Sequence, residues 1–105
     1  MVLAHDVFFT LHDDSAEARE RLAEACRTHL SGHPGTVFFS VGTLAPEFDR
    51  PVNDRVFSVA LHVYLESKAA HDAYQAHPRH ARFTLENSSN WKTVRVFDSW
   101  VEAAS

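Results

Sequence analysis

Four segments of the chain combine β-branched and aromatic residues in the way that strands do. In the longest segment every second side chain is apolar and falls on one face: Phe57, Val59, Leu61, Val63 and Leu65. A period of two is the spacing of a strand that buries one face. We therefore predict four β-strands, at residues 3–11, 36–44, 55–66 and 91–100.

A helical period follows the first strand. Apolar side chains recur at every fourth position and form one stripe: Ala18, Leu22, Cys26 and Leu30. Asp14 and Glu17 stand three residues apart, as in a capping box at the start of a helix. The sequence Gly-His-Pro-Gly at residues 32–35 predicts where this first helix ends.

Two short helices are predicted after the third strand, with a proline between them. Ser67 is the N-cap candidate of a helix that ends near His77, because proline disfavours the α conformation in the residue before it. A further helix begins at once, since Pro78 fits the first helical turn, and runs to about Asn87.

This order predicts an α+β, ferredoxin-like βαββαβ fold, with a four-stranded antiparallel sheet and one domain over residues 1–105. The helices cover one face of such a sheet, and aromatic and aliphatic side chains would remain on the other. A small domain does not expose that much apolar surface, so we expect a homodimer through the open sheet face that closes a barrel. The polar, proline-containing residues 45–54 predict a long surface loop or a lid.

Charge and composition indicate which classes of partner and which cellular compartment to expect. The net charge is −4, and acidic and basic residues are interleaved in the first helix, which argues against a nucleic-acid partner. No segment approaches the ~20 apolar residues that span a bilayer. Cys26 is the single cysteine, which excludes an intramolecular disulfide and suits a reducing compartment. We expect a cytoplasmic protein with no membrane partner.

The chemistry-bearing residues cluster at the proline break. Tyr74, His77 and His80 flank Pro78, and imidazole is the side chain that titrates nearest neutral pH. A histidine beside a phenol is an acid/base candidate. The competing interpretation is a helix corner, in which His77 caps backbone groups and His80 is solvated.

The other histidines are interpreted as structural. Four lie at predicted turns or exposed helix positions and are expected to be solvated: His12, His29, His33 and His71. His62 alternates with apolar residues and is expected in the core or an interface. Imidazoles at positions 5, 77 and 80 suit zinc, copper or nickel, but no cysteine or carboxylate lies at an obvious ligand spacing beside them. We therefore expect no metal.

Several features together resemble the stress-responsive A/B barrel (Dabb) family of the dimeric α/β-barrel superfamily. They are His5 in the first strand, Pro34 before a strand that ends in Gly42, the motif His77-Pro78-x-His80 after Tyr74, and the ending Val94-x-Val96-Phe97-Asp98. The resemblance spans nearly the whole chain in the right order, and the His-Pro-x-His motif is its most specific part.

The resemblance implies a protein that binds a small molecule and uses no cofactor. In a plant polyketide cyclase of the family, which closes a ring by aldol condensation, the matching residues make His80 the acid/base and Tyr74 the group that positions the carbonyl. His5 and His77 would then contact the ligand. Val59 stands near a position where the cyclase has a histidine, and Cys26 or Arg27 stands near one where it has a tyrosine, so we expect a different small hydrophobic or aromatic, polyketide-like ligand.

Three functions stay open at this point. The first is a ligand-binding protein that is also a cofactor-free acid/base enzyme. The second is a non-catalytic, stress-responsive structural or interaction protein. The third is a monooxygenase like others in the superfamily.

Overall fold

The computed structural model describes residues 1–102. Its elements are β1 (Val2–Leu11), α1 (Ala16–Leu30), β2 (Thr36–Thr43), β3 (Val59–Leu65), α2 (Lys68–Ala76), α3 (Pro78–Asn87) and β4 (Trp91–Val101). This order confirms the predicted α+β, ferredoxin-like arrangement, with its second helical segment divided at the proline. Within the described range, no helix is both long enough and apolar enough to cross a membrane.

The strands form one antiparallel sheet in the order β2-β3-β1-β4. β1 lies between β3 and β4, and its His5 is opposite Val63 on one side and Asp98 on the other. Opposite residues of neighbouring strands lie on the same face of a sheet. The register therefore brings His5 and Asp98 together although 93 positions separate them in the chain.

One face of the sheet packs against the helices and forms the core. Burial along β3 alternates strictly, and its covered side chains are the predicted ones: Val59, Leu61, Val63 and Leu65. The predicted apolar stripe of α1 is buried in the same core. Full burial of a Val, Leu or Phe side chain stabilises the fold by ~1.5–3 kcal/mol. The residues that predict these elements are thus also the residues that hold them together.

The third strand begins at Val59, so the prediction that it starts at Arg55 is wrong. The Val56 amide donates to Asp54 Oδ1 at 2.9 Å, which turns the chain. Arg95 of β4 binds the same carboxylate at 2.8 Å. These contacts hold the segment beside the sheet as a loop, and β2 pairs with β3 from Val59 onward.

Helix α1 is capped by Ser15, so the capping box predicted at Asp14 is wrong. The Ser15 hydroxyl accepts a hydrogen bond from the Ala18 amide at 3.1 Å, because Ser15 is the last residue with extended backbone. Asp14 instead binds the Arg19 guanidinium through both carboxylate oxygens, at 2.7 and 2.8 Å.

Substitution of Gly35 by alanine is expected to destabilise the fold more than substitution of Gly32. Both glycines have positive φ, +85° and +73°, and share a backbone penalty of roughly 1–2 kcal/mol for a side chain. A Cβ at Gly35 would lie 2.5 Å from Ala70 Cβ on α2, whereas one at Gly32 meets nothing within 4 Å. Urea denaturation should place Gly35→Ala about 1–3 kcal/mol below Gly32→Ala. Equal stabilities would show that α2 can move away from a side chain at position 35 without an energetic cost.

Candidate functional site

A cavity of about 130 Å³ lies between the sheet and helices α2 and α3. It is bounded by side chains of β1, β3, β4 and all three helices, and most of them are apolar. Its polar groups come from six residues: His5, Tyr74, Gln75, His80, Thr84 and Trp91, whose buried indole N–H has no hydrogen-bond partner within the described residues. The fold thus brings together three of the four residues predicted to form a site, His5, Tyr74 and His80.

Tyr74 places its hydroxyl in the interior without a hydrogen-bond partner among residues 1–102. Its side chain is fully covered at the end of α2, and burial raises the pKa of the phenol well above its usual value. Tyr74 therefore stays protonated at neutral pH and is available as a donor. A buried hydroxyl that lacks a partner costs about 1–3 kcal/mol, so this group is costly for the fold alone.

His80 lies in the first turn of α3, with its ring centroid 4.9 Å from that of Tyr74 and the two rings nearly perpendicular. The side chain is half-buried. Burial is the main cause that lowers the pKa of His80, and the nearby imidazoles of His33 and His5 lower it further. A neutral imidazole in this position can accept a proton at neutral pH. Tyr74 and His80 are therefore a matched donor and acceptor.

His5 is a buried imidazole held between two polar side chains. Its Nδ1 lies 2.5 Å from Asp98 Oδ1, and its Nε2 lies 3.4 Å from Gln75 Nε2. With Nδ1–H donated to the carboxylate, Nε2 is left as the acceptor on the α2 side. Asp98 is a site residue that the sequence analysis did not assign. Its side chain meets His5 through the β1–β4 register, which no local pattern reveals.

His77 connects two helices instead of lining the cavity found within residues 1–102. It follows the last turn of α2 and is the N-cap of α3, where its Nδ1 accepts from the Arg79 amide at 3.1 Å. Pro78 then occupies the first turn of α3, as predicted. The observed contacts of His77 are those of a helix cap, which was the competing interpretation of this residue from the sequence. We assign His77 no ligand.

His33 is buried, so the prediction that it is solvated is wrong. Gly32, with its positive φ, turns the chain back over the core after α1. His33 Nε2 then lies 2.8 Å from the His29 carbonyl, and its ring packs against Tyr74 and His77. Burial lowers the pKa of His33, with smaller effects from Arg79 and His77. Of the other histidines expected to be solvated, His12 is exposed, and His29 and His71 are half-buried.

Cys26 is fully buried, and burial raises the pKa of its thiol to about 12. A thiol that stays protonated is a poor nucleophile. The titratable side chains that line the cavity are His5, Tyr74 and His80.

This fold and cavity define a small ferredoxin-like domain with a mostly apolar pocket, which carries a few polar groups, under its helices. The sequence pattern of the Stress responsive A/B Barrel Domain (Dabb) matches residues 3–101. The chain therefore belongs to the Dabb family. No curated protein matches it.

Three solved structures show how widely this fold is shared. A Dabb family protein from Mesorhizobium loti is 20% identical, with 97% of this chain and 98% of that one covered and a TM-score of 0.77. A dimeric ferredoxin-like protein of unknown function from Jannaschia sp. is 23% identical, with 96% and 100% covered and a TM-score of 0.76. The hydroxynitrile lyase of Passiflora edulis is 17% identical, with 99% and 96% covered and a TM-score of 0.76. At these identities the likeness shows the fold alone.

The free energy of unfolding is expected to fall as the pH drops below about 6.5. The folded-state pKa values of His33 and His80 are lowered, so the unfolded chain binds protons that the folded chain resists. Their contribution is fully present above the unfolded pKa and is lost as the pH falls toward the folded pKa. Urea denaturation at pH 7.5 and 5.5 measures this loss.

The matched variant for this prediction is His33→Gln, whose amide can still donate to the His29 carbonyl but does not titrate. It should lose less stability than wild type between the two pH values. An equal loss in both proteins would assign the acid sensitivity to other groups.

Proposed function

We propose that this protein binds a small, largely apolar carbonyl compound in the cavity and acts on it by cofactor-free acid/base catalysis. The observation that carries the proposal is the buried, unpartnered Tyr74 hydroxyl beside the neutral His80 imidazole. A cavity of about 150 Å³ holds benzene, so the 130 Å³ here suits one ring or a short chain. A ligand of aromatic or polyketide-like type meets these requirements.

The chemistry follows from the two protonation states. The ligand's carbonyl oxygen accepts a hydrogen bond from Tyr74, and the His80 imidazole removes a proton from the adjacent carbon. The C–H electron pair forms the C=C bond of an enolate, and the carbonyl π pair moves to oxygen, where the Tyr74 donor stabilises it. The enolate carbon can then attack a second carbonyl carbon, as in an aldol closure, with the resulting alkoxide taking the proton from His80, or it can take that proton back directly. General acid/base catalysis of this kind contributes typically 10²–10⁴-fold.

His5 completes the pocket as the group that contacts a second polar atom of the ligand. Asp98 and Gln75 hold its ring in one orientation, and a donor on the ligand would replace the Gln75 amide, which lies 3.4 Å away, at Nε2. The hydroxynitrile lyase of Passiflora edulis has a similar fold and supports the view that this framework can carry catalysis. The competing hypothesis is a non-catalytic, stress-responsive protein, and the experiments below separate the two.

Proton exchange in a simple ketone tests the proposal without knowledge of the natural substrate. Acetophenone in D₂O loses its methyl ¹H signal as its α-protons exchange, and wild-type protein with a chelator present should accelerate that loss at pH 7.5. His80→Gln should reduce the acceleration by roughly 10²-fold or more, because it removes the base. His12→Gln, at an exposed position, is the control and should match wild type. Exchange that His80→Gln leaves unchanged would contradict catalysis at this site.

Tyr74→Phe is expected to separate function from stability. The variant keeps the ring in the core and removes the unpartnered hydroxyl, so the free energy of unfolding should stay equal or rise by up to about 1 kcal/mol. The same change should slow acetophenone exchange and weaken acetophenone binding in an NMR titration. A clear loss of stability in urea denaturation would show that the hydroxyl has a structural partner and would remove the argument for a ligand.

We also propose that the chain forms a homodimer through its open sheet face, the face opposite the helices. The strands place four aromatic side chains on that face, of which Phe38 and Phe97 are each about half exposed: Phe8, Phe38, Tyr64 and Phe97. The ring of Phe57, from the loop before β3, packs against Phe8 with 5.1 Å between the ring centroids. An Asp6–His62 pair at 2.6 Å lies among them. Solved structures of this fold are described as dimeric proteins, including that from Jannaschia sp.. A second copy would cover the aromatic surface that a monomer exposes.

Phe97→Asp is expected to convert the dimer to a monomer, because a carboxylate would be buried without a partner in the apolar interface. Size-exclusion chromatography with light scattering measures the change in mass. Leu85→Asp is the matched control, since Leu85 is 83% exposed on α3, away from the sheet. A wild-type mass of one chain, or a dimer that survives Phe97→Asp, would exclude this interface.

A further inference from the structure

Three metal-binding side chains from three different elements converge around His5, which lines the cavity. They are His5 of β1, His71 of α2 and Asp98 of β4, and one ligand atom from each lies within 4.8 Å of the others. The rings of His5 and His71 are 5.2 Å apart, centroid to centroid. Within residues 1–102 no other set of three histidine, cysteine or acidic side chains meets this criterion.

We propose that His5, His71 and Asp98 bind a divalent transition-metal cation. Two imidazoles and one carboxylate suit Zn²⁺, Co²⁺ and related ions, and three protein ligands leave coordination positions open for water or a small molecule. His5 and Asp98 already share a short contact of 2.5 Å, in which the cation would replace the proton. The ion would lie at the cavity wall, next to the place proposed for the ligand.

The surroundings of each ligand fit this role. His5 is 5% exposed and cannot turn away, because Asp98 and Gln75 hold both its nitrogens. His71 Nδ1 lies 3.1 Å from Asp72 Oδ1, so a carboxylate orients that ring and leaves Nε2 for the ion. The Asp98 side chain is 44% exposed and provides an entry path from solvent.

The distances require small adjustments among the three ligands. Metal–ligand bonds of about 2.0–2.2 Å place neighbouring ligand atoms roughly 3–3.5 Å apart. The contact of 2.5 Å between His5 and Asp98 must therefore open, and His71, whose ligand atom lies up to 4.8 Å from the others, must approach by roughly 1.5 Å. Asp98 and His71 are the ligands that can move, since their side chains are 44% and 22% exposed, whereas His5 is buried.

The sequence predicts no metal, because no acidic ligand lies close to the candidate histidines along the chain. The β1–β4 register supplies the carboxylate, and α2 supplies His71 in place of His77 or His80. The proposal stands on this geometry and does not depend on the proposed acid/base function.

Cobalt binding by untagged, chelator-treated protein tests the site directly. Wild type should bind one Co²⁺ per chain with the visible absorption of a low-coordinate site, and calorimetry with Zn²⁺ should give the same stoichiometry. His71→Ala should lose the absorption and weaken Zn²⁺ binding at least tenfold. Asp98→Asn should weaken Zn²⁺ binding by about 10–100-fold.

His29→Ala is the matched control, because His29 is a half-buried histidine paired with Glu86 and lies outside the cluster. It should bind both ions as wild type does. The proposal is wrong if wild type shows no Co²⁺ absorption, or if all three variants bind alike, which would indicate adventitious binding by surface histidines. Melting curves without metal confirm that each variant is folded. The acetophenone exchange assay contains a chelator, so the two proposals can fail separately.

Discussion

The antiparallel register of β1 between β3 and β4 is the constraint on which the rest of this structure depends. Side chains alternate between faces along a strand, so a slip of one residue would move the core residues of β1 to the open face. The same slip would turn His5 away from Asp98 and out of the cavity. Core packing and the polar site are therefore specified by one set of backbone hydrogen bonds. A wrong register would expose the apolar side chains of β1 to water and is therefore unfavourable. The packing of the core thus also keeps His5 and Asp98 together.

Desolvation gives the cavity its chemical character. Burial raises the pKa of Tyr74 and lowers the pKa of His80, because in each case the charged form is the one that loses water. The same physical cause thus leaves a protonated donor beside an unprotonated acceptor. In the part of the chain that the structure describes, neither group has a carboxylate partner like the one that Asp98 provides for His5. The fold bears the cost of these buried polar groups, and their orientation toward a ligand-sized space is the reason to infer function.

The break between α2 and α3 at Pro78 allows Tyr74 and His80 to face the same cavity. His77 ends α2 and caps α3, and Pro78 fits the first turn, so the chain can change direction between Tyr74 and His80. A continuous helix would hold the two side chains on different faces, since residues six apart are separated by about 120° around the helix axis. His33 packs behind the junction and contacts both Tyr74 and His77. The sequence pattern therefore identified the corner correctly, whereas the buried position of His33 depends on the turn at Gly32.

Local sequence determined the elements of this protein and much of its candidate site. Apolar periodicity predicted the strands, the α1 stripe and the order of the fold, because burial of one face requires that spacing. The family motif indicated His5, Tyr74 and His80. Tertiary structure alone decided that Val59 begins β3, since side-chain bonds of Asp54 compete there with strand pairing. It also decided that Asp98 and His71 meet His5, because strand register and helix packing join residues that no short-range pattern connects.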